Sequence, residues 1–377
     1  MKVSNSTHVP SSGMLGLVTL SAVALVPMVS VGATGDEVAA TAKSAVEART
    51  AAQTTWIGPT TGPKTEPGKF VVYISTGENN PIGHLWGAYL QQAAAKVAWR
   101  VAVLDGKSSP AEWVTAAKQA VALKPDGIVT SADAKTMQAP LSQAHDLGIP
   151  IVGLHGTAKP GPDPDDYLFT NIVSNPTDIG RAMVQWAIAD SNSEARIIFL
   201  YDAVYAISMI KRSGWQEAIQ ACPTCKLLKD DNFPIAEVPN RMRQEAISWT
   251  QQYPKPFYVV AVADYYYDFA VAALREAGVK TSDVKLIGAD GTKEAYERVR
   301  SGDEYQIVTI PEPIELQSWQ AVDELNRAFH KQQPSNFVQP VYIVTKTNVD
   351  AEGGSNDQFV PSNNYRDVYT KIWLGGG

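Results

Sequence analysis

Reactive and metal-binding side chains are scarce in this chain. Its 377 residues include two cysteines and five histidines. The histidines, at His8, His84, His145, His155 and His330, are too scattered to share a helix face or a metal-ligand spacing. No HExxH helix, GxxxxGK[ST] phosphate loop or GxSxG nucleophile turn occurs. These absences argue against a zinc hydrolase, a P-loop enzyme and a serine hydrolase, so neither metal nor cofactor is expected, and enzymatic activity is not expected either. Positive charge is also in short supply: 32 Lys and Arg against 39 Asp and Glu leave a net charge of −7. With no basic tract to neutralise phosphates, nucleic acid is not expected as a partner.

The two cysteines, Cys222 and Cys225 in ACPTCK, have no second pair with which to enclose zinc. In an exported chain they read as a local disulfide closing a short loop. Long apolar runs are limited to one, Met14 to Val31, which ends on the small residues Val31, Gly32 and Ala33. Lys2 is the only lysine or arginine ahead of it. Residues 1–33 therefore read as a secretory signal peptide, with an uncleaved membrane anchor as the alternative; Pro27 and the glycines weigh against the anchor. No cysteine lies near the cleavage point to carry lipid, and no second apolar run has membrane length. The mature protein is expected to be periplasmic, untethered and monomeric.

What remains has the composition of a globular protein, 45% apolar and 19% charged, and the length of two domains. Residues 34–68 form an alanine-rich helical arm and a proline- and glycine-rich linker, whose Trp56 is expected to pack on the body. From Phe70 the pattern alternates. FVVYIS (Phe70 to Ser75) reads as a buried strand, TGENNP (Thr76 to Pro81) as a polar loop, Ile82 to Val97 as a helix, and WRVAVLD (Trp99 to Asp105) as a second strand. Helices over Pro110 to Leu123 and Lys135 to Leu147 alternate with strands DGIVTSA (Asp126 to Ala132) and IPIVGLH (Ile149 to His155). Such repeats imply a parallel sheet covered on both faces, with ligands meeting the carboxyl ends of the strands. The rhythm stops at the loop Lys159 to Tyr167 and restarts with a helix from Thr177. Strands RIIFLYD (Arg196 to Asp202), KLLKDDNF (Lys226 to Phe233), FYVVAVAD (Phe257 to Asp264) and VKLIGADG (Val284 to Gly291) follow, then EYQIVTIPEP (Glu304 to Pro313), a helix from Ile314 to Lys331 and QPVYIVTKTNV (Gln339 to Val349). The fold class expected is α/β: two doubly wound parallel-sheet lobes, residues 69–172 plus 313–341 and residues 173–312 plus 342–377, facing each other across a cleft. The last segment, Gln358 to Leu374, is expected on the second lobe.

Read together, ISTGENNP, VAVLDG, KPDGIVTSAD, GIPIVGLH, VSNPTDIGR, RSGWQEAI, VVAVADYYYDFAVAALREAG and LIGADGTKEA resemble, in order and spacing, type I periplasmic solute-binding proteins of the sugar class, the relatives of ribose-binding protein. The resemblance runs from about Lys69 to Lys346. It implies two lobes joined by a three-stranded hinge, a solute closed in the cleft, and delivery to the permease subunits of an ABC-type importer. It also places Asn80 as a sugar-contacting amide, Phe233 as an aromatic wall and Asp290 as a hydroxyl acceptor. Several positions depart from the pattern. His155 and Gly156 replace an Asp-Arg pair, an expected arginine aligns near Met209, Ala263 replaces an asparagine, Glu312 replaces a glutamine, and Ile82 and Gly83 replace two phenylalanines. Losing those charged forks weakens the expectation of a ribose-like ligand. His84, Trp86, His155, Met209, Tyr265, Tyr266 and Glu312 point to a larger or less polar pocket. A sugar, polyol or modified sugar is the first expectation for the solute, with a nucleoside or aromatic compound, or a role in sensing, as alternatives.

Overall fold

The structure, a computed structural model, describes residues 34–375; the expected signal peptide lies outside them. The chain begins with α1 (Gly35–Thr50), started by a capping box in which Thr34 and Glu37 satisfy each other's backbone N–H. In the first lobe β1 (Phe70–Ser75), α2 (Pro81–Ala95), β2 (Arg100–Asp105), α3 (Pro110–Ala122), β3 (Gly127–Thr130), α4 (Gln138–Asp146) and β4 (Ile151–Leu154) alternate as expected. A short β5 (Gly161–Asp163) and β6 (Leu168–Ile172) close this sheet, whose order is β2-β1-β3-β4-β6-β5. All its pairings are parallel except that of β5 with β6.

The second lobe repeats the plan with α5 (Pro176–Asp190), β7 (Arg196–Tyr201), α6 (Ala206–Gln220), β8 (Lys226–Asn232), α7 (Val238–Gln252), β9 (Phe257–Ala261), α8 (Tyr265–Glu276), β10 (Val284–Asp290), α9 (Lys293–Ser301) and β11 (Gln306–Pro311). The chain then makes α10 (Ile314–Phe329), which returns to the first lobe, a short β12 (Val344–Thr345) and α11 (Tyr365–Trp373). The second sheet runs β12-β11-β10-β9-β7-β8. Cys222 and Cys225 form a disulfide just after α6.

Burial on both faces explains why the strands read as continuous apolar runs. In β1, Val71 and Tyr73 join the core under α2 and α10 with Trp86, Leu90 and Trp319, whereas Val72 and Ile74 join the core under α3 and α4 with Trp113 and Leu141. Side chains two residues apart share a face, so each strand feeds two cores.

Three sequence expectations need correction or extension. The tail helix α11 packs on the first lobe, not the second: Trp373 stacks on Trp319 of α10 at 5.3 Å, and its Nε1 donates to Asp323 at 3.0 Å. The strand expected over Gln339 to Val349 shrinks to Val344–Thr345, because the neighbouring backbone bonds elsewhere; Ile343 N donates to Arg49 O of α1. The three crossings between the lobes are joined by two further straps. The arm runs from α1, bonded to the second lobe through Arg49 and Gln185, to Trp56, which packs on Tyr369 of α11. The tail runs from Asp357, held by Arg300 of α9, to Gln358, which accepts from Tyr89 of α2. These straps explain why every residue from 314 to 327 is buried although Glu315, Asp323, Glu324 and Arg327 are charged. Inside, Arg327 donates to Asp323 at 2.7 Å and to Thr61 O of the linker at 2.6 Å, so the buried charges are paired.

Candidate functional site

A cavity of about 440 Å³ lies between the lobes. Its walls come from the loops after β1, β2, β3 and β4 on one side and from those after β7, β8, β9, β10 and β11 on the other. These are the carboxyl ends of the strands, where a doubly wound sheet exposes loops and backbone groups to a ligand.

At its base is Glu312, which follows β11 in the crossing to α10 and is 3% exposed. Its Oε2 accepts from Ser174 Oγ at 2.7 Å and Gln317 Nε2 at 2.8 Å, and stands 3.6 Å from His155 Nε2. Its Oε1 is buried with no hydrogen-bond partner. Burial disfavours the charge, but His155, Lys211 and Ser174 outweigh it and hold the carboxyl at about 2. Glu312 is therefore ionised and accepts only. Gln317 ties this group to Trp86, whose Nε1 donates to Gln317 Oε1 at 3.0 Å, and the Trp86 ring packs on His155 at 4.8 Å between centroids.

Across the cavity stands Asp290, at the end of β10. Lys211 Nζ, on a side chain only 6% exposed, donates to Asp290 Oδ1 and to Val262 O, both at 3.1 Å. Beneath the loop lies Asp264, fully buried. It accepts from Gly291 N at 2.8 Å, Thr309 Oγ1 at 2.7 Å and Gln306 Nε2 at 2.6 Å, with Thr292 N at 3.3 Å. Burial, with Asp290 nearby, pushes its carboxyl up to about 7. The cavity residues Asp290 and His155 both occupy the left-handed backbone region, with φ of 94° and 60°. A side chain there costs energy that the surrounding structure must offset, a feature that collects at ligand sites.

Six of the nine ligand-contact residues expected from the sequence line the cavity: Asn80, Trp86, His155, Tyr265, Asp290 and Glu312. Asn80 differs in detail. Its Oδ1 caps α2, accepting from Ile82 N at 2.9 Å and Gly83 N at 3.3 Å, so the group it offers a solute is the Nδ2 donor.

Phe233, Met209 and His84 are not among the lining residues. Phe233 is fully buried beneath Arg241 and against Tyr266, and Ile235, two residues on, takes the wall position instead. Tyr266 is likewise buried, its hydroxyl donating to Phe233 O. Met209 lies one helical step past Ser208, about 100° round α6; Ser208 and Lys211, three apart, face the cavity. His84 turns outward to Glu78, with Nδ1 at 2.8 Å from Oε2.

Lys211, Asp264, Ser174 and Gln317 were missed. For Lys211 a signal existed, because Ser208, Lys211, Trp215 and Ala218 form one buried stripe of α6, and a lysine in such a stripe needs a partner.

Among the described residues no cluster of His, Cys, Asp or Glu has the makings of a metal site, and no helix is long and apolar enough to cross a membrane. The periplasmic binding protein domain model matches residues 71–332. None of the curated protein sequences matches the chain significantly.

Among solved structures, an ABC transporter solute-binding protein from Agrobacterium vitis with bound allitol is similar at a TM-score of 0.67 and 17% identity, over 77% of this chain and 100% of that one. A second, also from Agrobacterium vitis and bound with α-D-tagatopyranose, reaches 0.67 at 14% identity, over 78% and 99%. The Caulobacter myo-inositol binding protein bound to myo-inositol reaches 0.65 at 18% identity, again over 78% and 99%. At these identities the likeness establishes the fold, and the matched residues establish the family. With both lobes, their facing strand ends and the cavity between them accounted for, the chain belongs to the periplasmic binding protein domain family, a family of solute-binding proteins rather than enzymes.

Proposed function

We propose that the protein reversibly captures a small polyhydroxylated solute between its lobes and hands it to an ABC-type importer. The observation that carries this reading is the uncommitted Oε1 of Glu312 at the base of the cavity. A buried, ionised acceptor lacking a partner is costly alone and is satisfied by a hydroxyl hydrogen. Lys211 of the cavity wall is already matched to Asp290, which disfavours an anionic ligand. Donors for ring or chain oxygens come from Asn80 Nδ2 and the His155 ring. Closure of the lobes would surround the solute from both sides. The polyol and sugar ligands of the similar structures fit this chemistry. Removal of residues 1–33 on export would deliver a monomeric protein to the periplasm.

A thermal-shift screen of the mature protein against sugars, sugar alcohols and inositols tests the reading. A ligand at a hundredfold excess over its Kd raises Tm by about 4 °C in a chain of this size. A flat screen across all three classes would sink it.

A further inference from the structure

The cavity is not lined evenly. Its buried polar groups, Glu312, Lys211 and Ser131, lie at the base. Its mouth on the second lobe carries an apolar patch: Tyr205 and Tyr265, each 37% exposed, stand there with the partly buried Ile207 and Ile235, and the exposed Asp268 and Glu294 lie beside them. The outer rim of the first lobe is mixed, with Asn79, Asn80 and Pro81 exposed and Ile82 partly buried. Tyr205 and Tyr265 each precede or begin a helix, α6 and α8, and so are presented by backbone that is fixed.

Resting on the binding function proposed above, we infer that the solute is amphipathic: a hydroxyl-bearing head seated against Glu312, His155 and Asp290, joined to a flat apolar group covered by Tyr205, Ile207, Ile235 and Tyr265. An aryl ring meets this description. Its edge and face suit the two tyrosines, and its lack of hydrogen-bonding groups suits the isoleucines. The loss of the guanidinium forks noted in the sequence follows from the same demand, because forks grip a small, fully polar ligand and would crowd or strand an apolar one.

Calorimetric titration of the mature protein with matched pairs tests the inference: D-glucose against its phenyl β-glycoside, glycerol against its phenyl ether, and myo-inositol against its monophenyl ether. In a pair that binds, the aryl member is expected to bind at least about tenfold more tightly, with a more negative heat-capacity change from apolar burial. In the variant Tyr205→Ser/Tyr265→Ser that ratio should collapse toward one. Both positions are partly exposed, and an unchanged melting temperature would show that the fold survives. A parent polyol that binds as tightly as its aryl partner overturns the amphipathic solute while leaving solute capture intact. Absence of binding by every member, together with a flat thermal screen, overturns both.

Discussion

Replacing Glu312 by Gln isolates the charge at the base of the cleft. The side chain keeps its length and an oxygen able to accept from Ser174 Oγ and Gln317 Nε2, now 2.7 and 2.8 Å from Oε2. In the folded chain burial works against the carboxylate, yet His155, Lys211 and Ser174 bring it from an ordinary 4.5 to about 2. A group depressed in this way stabilises the fold above its unfolded value and loses that contribution as pH falls through the folded one. The gap from 4.5 to about 2 is worth about 3 kcal/mol. With an unfolding entropy of about 2 cal/mol/K per residue over roughly 340 residues, that corresponds to about 4 °C in Tm. Scanning calorimetry should therefore find E312Q melting about 4 °C below the wild type at pH 6, the gap shrinking to about half by pH 3. A gap that stays constant or widens on acidification refutes the argument, because the lost stability would then not be electrostatic. The same variant gives up an anionic acceptor, so the affinity for a polyol found in the thermal screen should fall about tenfold or more.

Other perturbations probe the scaffold of the site. In Gly180→Ala the new methyl carbon would stand 2.0 Å from Lys211 O, prying α5 from α6 and displacing Lys211; we expect a loss of stability of several kcal/mol, read by urea titration, and weakened binding. A variant as stable as the wild type would mean that the two helices tolerate separation. Asp264→Asn removes a carboxyl raised from 3.8 to about 7 by burial and by Asp290. Such a group favours the fold most at low pH, and its contribution is lost as pH rises toward the folded value. Whatever the cost of the amide, the Tm difference between D264N and the wild type should thus move in favour of the variant by about 5 °C from pH 4 to pH 8, and parallel curves would contradict this. Replacing both Cys222 and Cys225 by Ser opens a loop of sequence separation 3; the loop-entropy model gives about 2 kcal/mol or less, and calorimetry showing a loss far above that would assign the disulfide a larger role.

The alternation of strands and helices was legible because strands buried on both faces are apolar throughout, and glycines and prolines mark their ends. Strand ends supplied most of the cavity residues for the same reason. What escaped was anything decided by packing between distant segments. The aromatic ring of Phe233 goes inward because Arg241 and Tyr266 enclose it. The tail helix lies on the first lobe because Trp373 finds Trp319 and Asp323 there. Tyr266 lies 33 residues from Phe233 and Asp323 lies 50 from Trp373, so no local pattern announces these contacts.

One local pattern was present and its meaning was not evident. The segments Gly153-Leu154-His155-Gly156-Thr157 and Gly288-Ala289-Asp290-Gly291-Thr292 share the form G-x-[HD]-G-T, one in each lobe. A methyl carbon on Gly153 would meet Asn171 Oδ1 at 2.5 Å, and one on Gly288 would meet Asp264 Oδ1 at 2.0 Å. The first glycine of each segment thus makes room for a buried polar side chain beside the strand. That side chain then holds the loop: Asn171 Nδ2 donates to Thr157 O at 2.8 Å, and Asp264 accepts from Gly291 N and Thr292 N. Between them, His155 and Asp290 are fixed at positive φ and brought to the cavity. Each lobe therefore offsets the strain of its ligand-facing residue with the same device, a glycine two positions earlier and a buried amide or carboxylate beside it. The difference between the devices sets their response to pH: Asn171 cannot titrate, whereas Asp264 can. Raising the pH through about 7 should therefore loosen the Asp290 loop, whose buried anchor Asp264 then ionises beside Asp290, while the Asn171 anchor of the His155 loop is unchanged.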